Sequence, residues 1–336
     1  MARILVLGGT AWLGGHVAAA ALAAGHEVTC LARGSGAVPA GARLVRADRD
    51  SPTAYAALPP SDRWDLVVDV ARAPGHVRGA VRALAERTAH WAFVSSCSVY
   101  ARHDRVGDDE GAEVLRALAA DTATLEDYGA GKVACEQAVG AARGRDALVA
   151  RAGLLVGHGD RSDRFGYWPA RFALAAEDGQ PVLVPARTDR PVQWVDVLDL
   201  AGWLLRAGLG GTTGAFDAVG PATTMQTVLD ACVAATGCSA PVVRAEDAQL
   251  RAAGVEQFMG HRSLPLWLAD PAWQGFSARS GSAAASAGLT LRPLGDTVGE
   301  ALRWERQLGL DRARTGAGLA RADELAVIAR LAAPPG

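Results

Sequence analysis

The sequence predicts a doubly wound α/β fold, in which a parallel sheet is covered on both faces by helices and a smaller C-terminal domain binds substrate. Three observations predict it. Short runs rich in β-branched residues alternate with helical segments through the first half of the chain. The runs are almost continuously apolar, as strands buried on both faces must be. The first of them leads directly into a glycine-rich turn and an Ala-rich helix.

The expected strands are Arg3–Leu7, Glu27–Leu31, Arg43–Ala47, Asp65–Val70, Trp91–Ser95 and Ala147–Arg151. Helices are expected at Leu13–Ala24, closed by Gly25, at His76–Thr88 and at Tyr128–Ala142. After about residue 155 this rhythm breaks. Gly157–Trp168 is polar, glycine-containing and aromatic, which suits a binding loop. Val192–Leu205 reads as a short strand and a helix, and Thr223–Thr236 as a helix closed by Gly237. Residues 259–295 show little periodicity, and Leu294–Leu308 and Ala322–Leu331 read as terminal helices. The expected division is residues 1–155 plus about 191–220 as the dinucleotide-binding domain. Residues 156–190 plus 221–336 would then form the substrate-binding region.

A chain of 336 residues with net charge -2 has room for a large core and no electrostatic reason to bind nucleic acid or an anionic membrane. No apolar run approaches the roughly 18 residues of a membrane span. Met1-Ala2-Arg3 runs straight into a strand, without the layout of a secretory signal. The five cysteines are scattered and lack CxxC spacing, which argues against a disulfide framework or a metal site. A cytoplasmic protein without metal is expected. Of 34 Lys and Arg residues, only Lys132 is lysine. A lone retained lysine marks a position where the forked, always-charged guanidinium will not serve.

Gly8-Gly9-Thr10-Ala11-Trp12-Leu13-Gly14 joins the first strand to the first helix. Glycines there let the backbone turn and approach a pyrophosphate, which sits on the free N–H groups of the helix N-terminus. Gly8 and Gly14 stand at the ends of the usual pattern, and Ala11 replaces its middle glycine. Trp12 either flanks the nicotinamide or plugs the sheet edge. The second strand ends Cys30-Leu31-Ala32-Arg33-Gly34 with no acid. A carboxylate at that place binds the ribose of NAD, whereas Arg accommodates the phosphate of NADP. NADP(H) is therefore favoured over NAD(H), the alternative being a merely solvated Arg33. Asp48 either accepts from the adenine amino group or caps the next turn.

Two segments supply the chemistry. Phe93-Val94-Ser95-Ser96-Cys97-Ser98-Val99-Tyr100 is a strand ending in hydroxyls, where α/β sheets place ligands. Tyr128-Gly-Ala-Gly-Lys132 opens a helix and sets a phenol and an ammonium on one face, four residues apart. A free phenol is a poor acid–base at neutral pH, and an adjacent ammonium favours the phenolate. This is the pairing that a proton transfer coupled to hydride transfer needs.

With these motifs the chain resembles the extended short-chain dehydrogenase/reductase group, the NAD-dependent epimerase/dehydratase family. The resemblance extends through Arg151-Ala-Gly-Leu-Leu-Val-Gly157, Val195-Asp-Val-Leu-Asp-Leu-Ala201 and Phe216-Asp-Ala-Val-Gly220. The loop without a central glycine is most similar to a reductase-like, actinobacterial branch. The resemblance implies a Rossmann-type fold, Ser96 as the hydroxyl that orients substrate, Tyr128 as acid–base and Lys132 as its partner and ribose holder. It also implies a homodimer joined through the Tyr128 helix.

Sugar-nucleotide members of this group carry an Arg for the diphosphate at the position occupied here by Val192, with Arg190 two residues earlier. Dehydratases place acids after the catalytic hydroxyl, where this chain has Cys97 and Ser98. Hydride transfer, as reduction of a carbonyl or imine in a small, secondary-metabolic type of molecule, is the expected activity. An epimerase or dehydratase with retained NAD, and a dinucleotide-sensing module, are the rival readings. The expected substrate wall comprises His158, Asp163, Arg164, Tyr167, Trp168 and Trp194, with Gln193 and residues 259–275. In the plainer alternative Asp163 and Arg164 form a local ion pair and Trp168 packs a domain interface. His103 either borders the pocket or is solvated.

Overall fold

The computed structural model describes residues 1–34, 36–144 and 146–333. Six strands come from the first half of the chain: β1 (Arg3–Leu7), β2 (Glu27–Ala32), β3 (Arg43–Arg46), β4 (Trp64–Asp69), β5 (Thr88–Ser96) and β6 (Ala147–Ala152). The strand Gly214–Ala218 adds to β6, giving the order β3-β2-β1-β4-β5-β6-(214–218). Every pairing in this sheet is parallel. The order reverses between β1 and β4, so a crevice opens at the carboxyl ends of those strands.

Side-chain alternation along the strands builds the two faces. Ile4 and Val6 point to one side, with Val28, Leu66, Val68 and Val94, and meet α1 (Trp12–Ala23) and α5 (Val197–Leu209) through Val17, Ala21, Trp203 and Leu204. Leu5 and Leu7 point to the other, with Leu31, Val67, Trp91 and Phe93. There they meet α2 (Pro74–Leu84) and α3 (Tyr128–Arg143) through Val77, Val81, Leu84, Cys135 and Val139. The doubly wound parallel fold expected from the strand runs is the fold observed. The helix expected at His76–Thr88 instead starts at Pro74, a residue whose fixed φ suits the first helical turn, and β5 begins by Thr88.

A second core lies beyond the sheet. It joins α4 (Tyr167–Asp178), α6 (Met225–Thr236) and the helices Leu294–Leu308 and Arg321–Ala332. A small parallel pair, Val182–Pro185 with Val242–Ala245, completes it. The expected loop over 157–168 ends sooner than its composition suggests, because Tyr167 already opens α4. Pro169 falls in that helix's first turn, where its missing N–H costs nothing, and Gly179 closes the helix at φ +66°. All five cysteines are buried thiols. Among the described residues no helix is long and apolar enough to cross a membrane.

Candidate functional site

The turn after β1 is shaped for close approach. Gly8 sits at φ +97°, and a Cβ on Gly14 would lie 2.3 Å from the Gly8 carbonyl oxygen. A Cβ on Gly9 would strike the Cys30 Sγ of β2 at 2.4 Å. Ala11, which replaces the middle glycine, is an exposed residue in extended conformation preceding α1 and makes no side-chain cap. No acid stands in the first turn of α1 either. The free N–H groups of that turn therefore remain available to an anion at the switch point of the sheet. These residues fit a dinucleotide pyrophosphate. We expect Gly14→Ala to weaken nucleotide binding at least tenfold and to cost roughly 1–3 kcal/mol of stability through overpacking. Nucleotide titration and urea unfolding of the variant check this.

Around the turn, Thr10 is half-buried and Leu13 packs into the core below α1. The Trp12 indole N–H donates to the His158 carbonyl at 2.8 Å, so this ring ties the turn to the 157–160 loop. Arg33, just past β2, is exposed and makes no ion pair among the described residues. The Arg46 guanidinium, from the end of β3, lies 3.4 Å from where a Cβ on Gly34 would stand. Asp48 is exposed and its carboxylate accepts from the Asp50 N–H, capping its own turn. The next residue has a firmer role that the sequence reading passed over. Arg49 grips the fully buried Asp69 at the end of β4 through two bonds of 2.8 and 2.9 Å, fixing the floor of the crevice.

Tyr128 and Lys132 lie in the first turns of α3, on its face toward the sheet. Lys132 is 2 % exposed, and its Nζ donates to the carbonyls of Ala71 at 2.7 Å and Val94 at 2.6 Å. Ala71 lies two residues past β4, and Val94 lies near the carboxyl end of β5. An ammonium has three donors, so two are spent on the scaffold and one is left for a ligand. The Nζ lies 5.9 Å from the Tyr128 ring centre and 4.9 Å from that of Phe93. Gly129 explains the spacing between the pair. Its Cβ would fall 2.1 Å from the Ser98 carbonyl oxygen, so only glycine lets α3 approach the turn after β5. In that turn the Ser96 hydroxyl accepts from the Ser98 N–H at 3.1 Å and contacts the Ser98 hydroxyl at 3.2 Å.

A buried polar network holds this arrangement from behind. Glu136 of α3 accepts from the Ser95 hydroxyl and from two nitrogens of Arg151, at 3.1 and 2.8 Å. Arg151 also donates to the Tyr100 hydroxyl, which in turn donates to Asp217 at 2.6 Å. Arg279 closes the chain with a 2.7 Å bond to Asp217, its guanidinium lying 3.3 Å from the centre of the Tyr100 ring. Burial pushes the Asp217 carboxyl above its ordinary range, against the opposing pull of Tyr100 and Arg279.

The expected substrate wall divides. Tyr167 and Trp168 are wholly buried in the second core, with the Trp168 N–H on the Pro265 carbonyl. This corrects their assignment to a pocket lining, since the α4 start turns both rings inward. The Asp163 carboxylate is also committed, to Arg312, Arg314 and the N–H groups of Thr315 and Gly316. The local ion pair between Asp163 and Arg164 does not form. His158 packs edge-on against Trp304, and Trp194 lies half-buried beside Phe165. Arg164 makes no direct ion pair among the described residues; its Nε donates to the Ser162 hydroxyl at 3.2 Å, which donates to the Asp160 carboxylate at 3.0 Å, and its guanidinium lies over the Phe258 ring. Burial lowers its pKa, opposed by the electrostatic pull of the Asp160 carboxylate and the Tyr128 phenol. His103 stacks on Trp273 and meets Phe276 edge-on, within an aromatic cluster rather than in solvent.

A glycine-lined turn at the switch point thus precedes a Ser96, Tyr128 and Lys132 set on the same sheet edge. The profile of the NAD dependent epimerase/dehydratase family matches residues 4–210. The chain belongs to that family. A search of curated protein sequences finds no match. Among solved structures, a Burkholderia cenocepacia protein superposes with TM-score 0.69 at 20% identity, covering 91% of this chain and 98% of that one. UDP-N-acetylglucosamine 4-epimerase from Bacillus cereus gives TM-score 0.65 at 18% identity, covering 91% and 100%. A Bordetella bronchiseptica enzyme in complex with NAD+ gives 0.64 at 18% identity, covering 92% and 99%. At these identities the likeness establishes the epimerase/dehydratase fold, and the chemistry rests on the residues of this chain.

Proposed function

We propose that the chain is an oxidoreductase acting on a carbon that bears a hydroxyl, carbonyl or imine group in a small molecule, running as a net reductase with NADP(H). The observation that carries the reading is the Tyr128–Lys132 pair, with Lys132 buried against the ends of β4 and β5 and one N–H to spare. A bound nicotinamide supplies or accepts the hydride. Tyr128 gives the proton to the substrate oxygen or nitrogen, or removes it in reverse. Ser96 holds that atom, and Lys132 holds hydroxyls of the nicotinamide ribose. The Trp12 hydrogen bond to His158 ties the 157–160 loop to the cofactor turn.

Arg33 just past β2 and Arg46 at the end of β3, with no acid at the end of β2 and with the Asp48 carboxylate turned to the Asp50 N–H, support the phosphorylated cofactor. We expect Arg33→Ala to weaken NADPH binding about tenfold while leaving NADH nearly unchanged, the loss of one charge-assisted contact. Titration with both nucleotides measures it.

A second reading, an epimerase or dehydratase that retains NAD, is favoured by the family match and the epimerases among the structural neighbours. Against a sugar-nucleotide substrate, Arg190 is engaged by the Asp247 carboxylate and Val192 is buried. Cofactor analysis of the purified protein separates the two. Net consumption of NADPH with a panel of ketones, aldehydes and imines supports reduction. NAD released only on denaturation, with no net consumption, overturns it in favour of epimerisation.

A further inference from the structure

Arg164 differs from the paired arginines near the site, and from the exposed Arg72 beside Tyr128 in being half-buried. Arg151, Arg279, Arg312 and Arg314 are each paired with a carboxylate. Arg164 makes no direct ion pair among the described residues: the Asp160 carboxylate reaches it only through the Ser162 hydroxyl, and its two Nη groups have no hydrogen-bond partner among those residues. A half-buried guanidinium whose Nη groups lack an acceptor presents that edge to an anionic ligand. One face of this guanidinium is covered by Phe258, 5.5 Å from the ring centre. Phe258 adopts φ +65°, a conformation uncommon for an aromatic residue, and packs edge-on against Phe276 at 5.7 Å. Phe276 continues into His103 and Trp273, and Trp273 is 43% exposed. A cation under the electrostatic influence of Tyr128 therefore adjoins a chain of contacting aromatic rings.

We propose that Arg164 binds an oxyanion of the substrate, a carboxylate or phosphate ester, and that the Phe258–Phe276–Trp273 wall receives a flat apolar portion of the same molecule. A planar guanidinium fork suits either oxyanion, and stacking on Phe258 fixes its plane. The substrate class is thus an acidic molecule with an aromatic or flat apolar body. This deepens the reading of Tyr128 as the reacting end of the site and rests on it for the substrate's orientation.

The test is calorimetric binding of phenylacetate, benzyl phosphate and neutral benzyl alcohol to the full chain, which needs no turnover. Acidic probes should bind the wild type about tenfold or more tightly than the alcohol, as a charged hydrogen-bond pair allows. Arg164→Gln should abolish that preference and leave the alcohol unchanged, while Arg164→Lys should retain part of it. Phe258→Ala should weaken all three probes alike, and the stronger of the two acids identifies the oxyanion. Equal binding of acid and alcohol by the wild type, or an acid preference that survives Arg164→Gln, overturns the proposal. A preference lost instead in Arg72→Gln, whose guanidinium lies 5.4 Å from the Tyr128 ring centre, also overturns it. Tyr128→Phe should keep the acid preference, so failure of the catalytic reading is distinguishable from failure of this one.

Discussion

Replacing Tyr128 by Phe should lower turnover by about 10²- to 10⁴-fold while nucleotide binding stays within a factor of two or so of wild type. The substitution removes one oxygen from a half-buried ring that makes no hydrogen bond among the described residues, so little stability goes with it. The scaffold beneath is untouched, because Lys132 is anchored by Ala71 and Val94 rather than by the phenol. The measurement pairs steady-state rates on the best carbonyl substrate with nucleotide titration and thermal unfolding. Unchanged turnover would remove Tyr128 from the chemistry and assign the proton transfer to another group.

The largest stability effect should come from Asp217→Ala. Asp217 and the Arg279 side chain are essentially inaccessible, at 0% and 1% exposure. Removing the carboxylate strands a buried guanidinium and deprives the Tyr100 hydroxyl of its acceptor. Breaking one partner of a buried pair costs about 3–5 kcal/mol, whereas replacing both by apolar residues of similar volume is often near neutral. Urea unfolding of Asp217→Ala, Arg279→Met and the double variant Asp217→Leu/Arg279→Met measures the coupling. The double variant should recover a large part of the loss. Strictly additive losses would show that the pair is not the cause.

The network's position shows why some of this protein is readable in sequence and some is not. Strands β1 to β6 announce themselves because each is buried on both faces and must be apolar along its length. Tyr128 and Lys132 are legible because a single helix carries both at fixed spacing, and Gly129 between them reports a close approach. The Asp217–Arg279 pair joins residues 62 positions apart, and Arg49–Asp69 joins two elements of different type. No local pattern encodes such pairings. Tyr167 and Trp168 mislead for a related reason. Aromatic residues beside Gly and Pro resemble a binding loop, yet Trp168, Phe172 and Ala175 follow helical spacing along a buried face. That the Nη groups of Arg164 meet no acceptor among the described residues while Phe258 covers one face depends on residues distant in sequence, and only the tertiary structure shows it.

The solitary lysine has a practical consequence. Because every other long basic side chain is arginine, isotopically labelled lysine would yield a spectrum with one ammonium signal, and that signal would come from the floor of the crevice. Its chemical shift would report arrival of a ribose hydroxyl at the remaining N–H directly, without a substrate. Amine-directed acylation would act as a complementary probe. Lys132 is shielded by the ends of β4 and β5, so its modification should lag behind that of the exposed N-terminus and slow further when a nucleotide is bound. With the proposed role of Lys132, a protein that spends its lysine on one atom would carry its own reporter of cofactor occupancy.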